Sequence, residues 1–328
     1  VERAQKKETW MPPVRPPAQL ALTALLLGLT LAFPAPPAWT AGAKTFNVGQ
    51  EVDSGYHPTV ARIAYDGDQH PVVLVDEAHH ESYTIGGRDR PFAELLTKDG
   101  YKVRPNRKPL DKESLAAVDV LVLADPLGAT GGAGAAGTFK PAEIDAVYAW
   151  VQAGGALLLV ADPGPPARAA MDLARRFGVD MSQGETFDPE HSGDASTPTS
   201  WIPFSRQNNL LADHPITRGR NDAERIETVV TFHGQSLSGP EGSAAFLPLG
   251  DAARDRHPGE GIDISAAGRS QGIAIEIGKG RVVVLADTAM TTAQQLGGGA
   301  LKVGMNRPDN DDRQLVLNVF HWLTRLLG

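Results

Sequence analysis

The chain has 328 residues, 41% hydrophobic and 21% charged, and its 39 acids against 31 Lys and Arg leave a formal charge of −8. This describes a globular chain long enough for one substantial core, and the acidic balance lacks the footprint of a phosphate-backbone binder, which excludes nucleic acid as a partner. With no cysteine, it has no disulfide, no thiolate zinc site and no cysteine nucleophile.

The first expected feature is a secretory signal. Arg15 follows Met11, the apolar run LALTALLLGLTLAF fills residues 20–33, and PAPPAWTAGA follows. Basic, apolar and small-residue segments in that order are read by the export machinery. Ala41-Gly42-Ala43 fits the A-x-A rule, so cleavage is expected after Ala43. Residues 1–43 are then upstream sequence and signal, and residues 44–328 form one mature domain, periplasmic or secreted. The apolar run is shorter than the ~20 residues of a bilayer span, so no permanent membrane span is expected after cleavage. No cysteine follows it, which excludes a lipoprotein.

Beyond it, strand and helix patterns alternate. PVVLVDEA (71–78) is a buried-strand run, and RPFAELLTKDG (90–100) carries apolar residues at helical spacing with a glycine stop. YKVRPN (101–106) reads as a short strand and DKESLAAV (111–118) as a short helix. VDVLVLADPL (118–127) is a second buried strand. In KPAEIDAVYAWVQAGG (140–155) proline near the start and glycines past the end frame a helix. ALLLVADPG (156–164) is a third buried strand, followed by a helix over 166–179. Strands apolar on both faces, separated by helices, predict a three-layer α/β fold: a mostly parallel sheet with helices on both faces.

Residues 182–222 read as an irregular insertion, punctuated by Gly and Pro, of a length that is usually functional. Strand runs return at 225–234, 243–250, 271–280 and 280–290, the last two joined as a hairpin through Gly278-Lys279-Gly280. A closing amphipathic helix spans 311–327, on which His321 reads as a surface or packing residue.

The run VVLVDEAHH spells D-E-A-H at a strand end, as nucleic-acid ATPases do. Such motors also need G-x-x-x-x-G-K-[ST] to cradle phosphates, and the chain offers only Gly278-Lys279-Gly280. A more general pattern is that four apolar strands end in an acid: Asp76, Asp125, Asp162 and Asp287. In open parallel sheets, ligands bind outside the carboxyl ends of the strands. Aspartates also cap turns for local reasons, and Asp125-Pro126 and Asp162-Pro163 fit that use.

Glu77, His79 and His80 follow Asp76, and imidazole with carboxylate suits zinc or a similar divalent ion. Asp76, His79 and His80 are therefore candidate metal ligands. The competing reading is a hydrogen-bonded network that fixes the loop to the sheet. His214 and His233 sit where a loop could fold over the rim, and Arg218, Arg220 and Arg225 could meet an anion. Gly268-Arg269-Ser270-Gln271-Gly272 matches G-x-S-x-G, but a strand and hairpin come next, rather than the helix that a nucleophile elbow needs.

VLVDEAHHESYTIGGRDRPFAELLTKDGYKV, DVLVLADPL, EIDAVYAWVQAGGALLLVAD, GKGRVVVLADTAMTTAQ and NVFHWL together resemble an exported, largely uncharacterised family with the class I glutamine amidotransferase-like fold. That flavodoxin-like sheet also occurs in gliding-motility and intraflagellar-transport proteins. The resemblance covers most of the mature chain and implies the fold. In amidotransferases a cysteine follows the corresponding strand; here Asp162 stands at that place, so glutamine hydrolysis is not expected.

The expected function is binding of a small polar or carbohydrate-like ligand, or of an envelope protein partner, at the carboxyl rim. Asp76, Glu77, His79, His80 and Asp162 are the candidate centre, with Asp125, Asp287, His214, Arg220 and His233 as further binding residues. The alternative is a hydrolase of ester, amide or glycosidic bonds, metal-dependent or relying on carboxylate and histidine. A purely structural envelope protein is a third class.

Overall fold

Successive residues of a strand face opposite sides, and in this chain both sides are apolar. Val73 and Val75 enter one core and Leu74 the other; Val120 and Val122 join the first, Leu121 and Leu123 the second. Burying each Val or Leu contributes roughly 1.5–3 kcal/mol, which fixes these runs at the centre of a layered molecule. The structure is a computed structural model and describes residues 50–128, 137–192, 198–257 and 263–328. The expected signal lies outside the described residues. The described residues form one compact unit, and no described helix is long and apolar enough to cross a membrane.

The elements used below are β1 (Val72–Asp76), α1 (Arg90–Lys98), β2 (Lys102–Asn106), β3 (Val120–Ala124), α2 (Pro141–Gln152), β4 (Ala156–Val160), α3 (Pro165–Arg176), β5 (Trp201–Ser205), β6 (Thr228–Phe232), β7 (Ala244–Ala245), β8 (Gly272–Ile277), β9 (Gly280–Leu285) and α4 (Asp312–Leu323). The main sheet runs β7-β8-β9-β4-β3-β1-β2. From β9 to β2 the neighbours are parallel, while β8 and β7 are added antiparallel. This is the expected α/β fold, mostly parallel, with a C-terminal hairpin and a closing helix.

Helices cover both faces. Phe92, Leu95 and Leu96 of α1 and Val316, Val319 and Phe320 of α4 pack on the Val73 side. Val147 and Val151 of α2 and Ala170, Leu173 and Ala174 of α3 pack on the Leu74 side. Pro141 opens α2, and the Glu143 carboxylate reaches back to the Lys140 N–H at 3.0 Å, a capping arrangement that satisfies an otherwise unpaired donor. The hairpin turn packs against the end of α2: a Cβ on Gly280 would lie 2.0 Å from the Val151 carbonyl oxygen, so only glycine fits there.

Three expectations are corrected. Residues 112–117 form turns rather than a helix. The 182–222 segment is not uniformly irregular: Glu185–Phe187 and β5 are strands and Pro215–Arg218 a short helix. β5 pairs antiparallel with β6 and buries Trp201, Ile202 and Phe204. Of the 243–250 run, only β7 is strand. A further sheet of Glu51–Val52, Ala293–Leu296 and Leu301–Gly304 was not expected, because its segments are short and partly polar.

Candidate active or binding rim

All four strand-end acids lie on the carboxyl rim, at the ends of four consecutive strands: Asp287 after β9, Asp162 after β4, Asp125 after β3 and Asp76 closing β1. Geometry divides them into two networks.

The first contains three aspartates. Asp125 leaves its strand at φ +51°, a left-handed conformation that Asp tolerates better than most residues. Its Oδ1 accepts the Asp162 N–H at 2.7 Å and its Oδ2 the Thr288 hydroxyl at 3.3 Å. Asp162 Oδ1 accepts the Thr288 N–H at 2.7 Å. Asp287 accepts N–H groups from Phe232 and, at 2.9 Å, from Ala289. Burial, then the Asp162 charge, raises the Asp125 carboxyl well above its ordinary range. The same two causes push Asp287 up to about 7. Burial also raises Asp162, against hydrogen bonds from Thr288. Neighbouring buried carboxyls cannot all ionise, so this group shares protons. Buried Tyr83 stands beside it, its hydroxyl pushed up by burial and by the Asp162 and Asp125 charges.

His233, at φ +86°, is exposed at the edge of this group. Its Nδ1 lies 2.5 Å from Glu185 Oε1 and 3.0 Å from Ser200 Oγ, while its Nε2 accepts the Trp201 indole N–H at 3.2 Å. Burial disfavours the imidazolium, but the Glu185 hydrogen bond and charge outweigh it and raise the pKa. The indole N–H works the other way, because it requires a bare Nε2. Ser200 and Glu185 share one ring nitrogen, so these side chains do not form a nucleophile relay, in which base and orienting acid occupy opposite nitrogens.

The second network surrounds Asp76. His79 Nδ1 lies 2.5 Å from Asp76 Oδ2, and its Nε2 3.1 Å from Glu143 Oε1. Asn106 donates to Asp76 Oδ1 at 2.6 Å. Glu81 lies against Asp76; burial, then the hydrogen bond and charge of Asp76, push its carboxyl up to about 10. Burial disfavours a charge on His79, yet Asp76 and Glu143 together raise its pKa.

Other candidates lie elsewhere. Glu77 turns away from Asp76 to bond Arg107 at 3.1 Å and the Ile85 N–H at 3.1 Å. His80, at φ +58°, is exposed. His214 caps the short helix Pro215–Arg218 by accepting the Ile216 N–H at 3.2 Å, packs on Phe246 and Trp322, and is pushed down to about 4 by burial, then by Arg218 and Arg281. Arg281 begins β9, so His214 belongs to the amino side of the sheet. Arg220 binds Glu224 through both carboxylate oxygens and is not offered to an anion. Buried Ser270 sits with Oγ 2.7 Å from Leu247 O and 2.8 Å from Gly272 O, inside a turn rather than on an elbow. His321 is buried and bonds Asp99 at 2.7 Å. Glu81, Glu143, Asn106, Thr288, Glu185 and Tyr83 were not anticipated; their sequence positions carry no strand-end signal.

A mostly parallel sheet with polar groups gathered at its carboxyl rim gives this chain, which has no cysteine, a glutamine amidotransferase-like α/β fold. The chain belongs to the DUF4350 family, described as a domain of unknown function, whose model matches residues 90–299. Among solved structures, the mmIFT52 N-terminal domain is similar at 16% identity and TM-score 0.56, over 77% of this chain and 97% of that one. A putative GMP synthase subunit from Thermoplasma acidophilum matches at 12% identity and TM-score 0.41, over 79% and 97%. A putative thua-like protein from Bacteroides uniformis matches at 14% and 0.40, over 82% and 95%. The likeness of fold rests on the first. No curated protein matches the chain.

Proposed function

We propose that this chain binds a small polar ligand, rich in hydroxyl or amino hydrogens, at the carboxyl rim around Asp162. The observation that carries the reading is the hydrogen-bonded set Asp125–Asp162–Thr288, built from three neighbouring strand ends, with half-buried Asp162 at the rim and the His233–Glu185 pair at its edge. Carboxylate oxygens accept hydrogen bonds, and charge-assisted bonds of this kind are the stronger ones. A carbohydrate-like polyol or an amine would supply the donors. For an exported chain, the ligand or an envelope partner would be met outside the cytoplasm.

Isothermal titration calorimetry with neutral mono- and disaccharides, polyols and small amines tests the proposal. A ligand that binds the wild type should bind Asp162→Asn at least about tenfold more weakly, the loss of one charge-assisted bond, while exposed-site Asp251→Asn behaves as wild type. Equal binding by Asp162→Asn, or no binding across the panel, would count against it. A hydrolase reading draws less support, because His233 has its Nε2 occupied by the Trp201 indole.

A further inference from the structure

We propose that Asp76, His79 and Glu81 bind a divalent transition cation of the zinc class, with Glu143 and Asn106 holding two of these ligands in position. The proposal is independent of the polar-ligand reading at Asp162 and uses different side chains.

One donor atom from each of the three residues lies within 4.8 Å of the other two. Donors around a four-coordinate ion with bonds of about 2.0–2.2 Å are roughly 3.5 Å apart, a spacing that small side-chain rotations reach. Imidazole nitrogen with two carboxylate oxygens is a borderline donor set that suits zinc better than calcium or magnesium. Asp76 and His79 are buried, which separates this group from the acidic clusters of an ordinary surface.

The supporting shell gives the arrangement direction. Glu143 Oε1 meets His79 Nε2 at 3.1 Å and accepts the Leu110 N–H at 3.0 Å, while Glu143 Oε2 accepts the Lys140 N–H at 3.0 Å. That carboxylate is thus fixed by backbone before it meets the ring. It holds the Nε2 proton, so Nδ1, which shares its own proton with Asp76, is the nitrogen that can meet a cation in place of that proton. Metal-bound histidines characteristically have their second nitrogen oriented by a carboxylate in this way. Asn106 does the same for Asp76, occupying Oδ1 and directing Oδ2 inward. Phe139 packs against the His79 ring at a tilt, with centroids 4.4 Å apart, walling the site with apolar surface.

A second observation points to a missing partner. Glu81 Oε1 is buried and receives no N–H or O–H donor, while Glu81 Oε2 accepts the His79 N–H at 3.0 Å. Two buried carboxyls this close hold either a shared proton or a positive partner between them. A cation shared by Glu81, Asp76 and His79 Nδ1 supplies it to all three at once.

The test uses the purified, chelator-stripped protein titrated with Co²⁺, followed by the visible d–d absorption, and then with Zn²⁺ by calorimetry. The expected result is one Co²⁺ per chain, displaced by Zn²⁺. Glu81→Gln keeps an acceptor for the His79 N–H but loses the anionic ligand, and should weaken binding by roughly tenfold or more with an unchanged circular dichroism spectrum. Glu143→Gln should weaken it by about 10–100-fold, the usual range for an orienting carboxylate. Asp162→Asn, outside the site, should bind as wild type. His79→Gln should abolish binding; if it fails to fold, Glu81→Gln decides. No cobalt absorption and no zinc heat, or equal affinity in wild type and Glu81→Gln, overturns the proposal.

Discussion

Asp125 Oδ1 accepts the backbone N–H of Asp162 at 2.7 Å, so one buried carboxyl ties the ends of two neighbouring strands. Thr288, just past the third strand, completes the link through its hydroxyl to Asp125 and its N–H to Asp162. Three loops are thereby held in register by side chains that are also the rim's polar surface. Such a network is rigid when all its members are satisfied and costly when one is removed.

Asp125→Ala should destabilise the fold by about 2–4 kcal/mol. It leaves the Asp162 N–H without its acceptor and places a Cβ-bearing residue without a compensating local bond at φ +51°. Asp125→Asn should be near neutral, since Asn tolerates that conformation and its Oδ1 can accept the same N–H. Urea denaturation of the two variants separates these outcomes; equal losses would show that the charge rather than the hydrogen bond matters.

Asp89 gives a pH prediction. It is buried beside Phe92, Val122, Leu158 and Thr291, its Oδ2 has no hydrogen-bond partner, and burial followed by the Glu77 charge pushes it up to about 7 from 3.8. The folded-state pKa is raised, so the unfolded chain releases this proton first as pH rises. Asp89's contribution is full below about pH 4, declines through pH 4–7 and is lost above it. Asp89→Asn should remove that decline. Its stability relative to wild type should rise across the window by up to about 4 kcal/mol, read from denaturation midpoints at pH 4, 5.5 and 8. A difference that stays constant with pH would reject this account.

Much of this architecture is legible in the sequence because β1, β3 and β4 are apolar on both faces, and such runs have few other uses in a chain of alternating helices. β5 was hidden by Pro203, which argues against a strand unless it lies in a two-stranded pair. The rim aspartates were readable from position alone, since parallel strands place their carboxyl ends together. Glu81 was not: the left-handed turn at His80 sends that side chain to solvent and brings Glu81 back toward Asp76. His214 and Arg220 were misplaced because nothing in a linear pattern says which end of the sheet a long connection visits.

Arg281 should behave as a structural residue. Its Nη1 donates to the carbonyls of Trp322 and Leu327 at 2.7 and 2.8 Å, its Nε bonds Glu276 at 3.0 Å, and its guanidinium lies 4.6 Å from the Trp322 ring centroid. The Trp322 carbonyl lies in the last turn of α4 and the Leu327 carbonyl just beyond it, where a cation also meets the negative end of the helix dipole. Arg281→Met should cost about 2–4 kcal/mol, from two charge-assisted bonds lost and acceptors left buried. Arg281→Lys should recover only part, because an ammonium lacks the planar fork. A loss under about 0.5 kcal/mol in urea denaturation, within the range of ordinary surface changes, would show that water replaces the guanidinium.

The protonation of His233 should be set by two opposing neighbours. Glu185, 2.5 Å from Nδ1, favours the imidazolium, while the Trp201 indole N–H at 3.2 Å requires an unprotonated Nε2 and favours the neutral ring. Trp201→Phe removes the second influence and leaves the first, so the His233 pKa should rise. Glu185→Gln removes the first and leaves the second, so it should fall. Both are measured by following the His233 ring proton shifts in an NMR titration from about pH 4 to 9, a range that brackets the ordinary imidazole value. If Trp201→Phe leaves the midpoint unmoved while Glu185→Gln lowers it, the indole contact carries no electrostatic weight and the carboxylate alone governs the ring. If neither variant moves it, His233 is solvated as a surface imidazole and is not part of the polar rim.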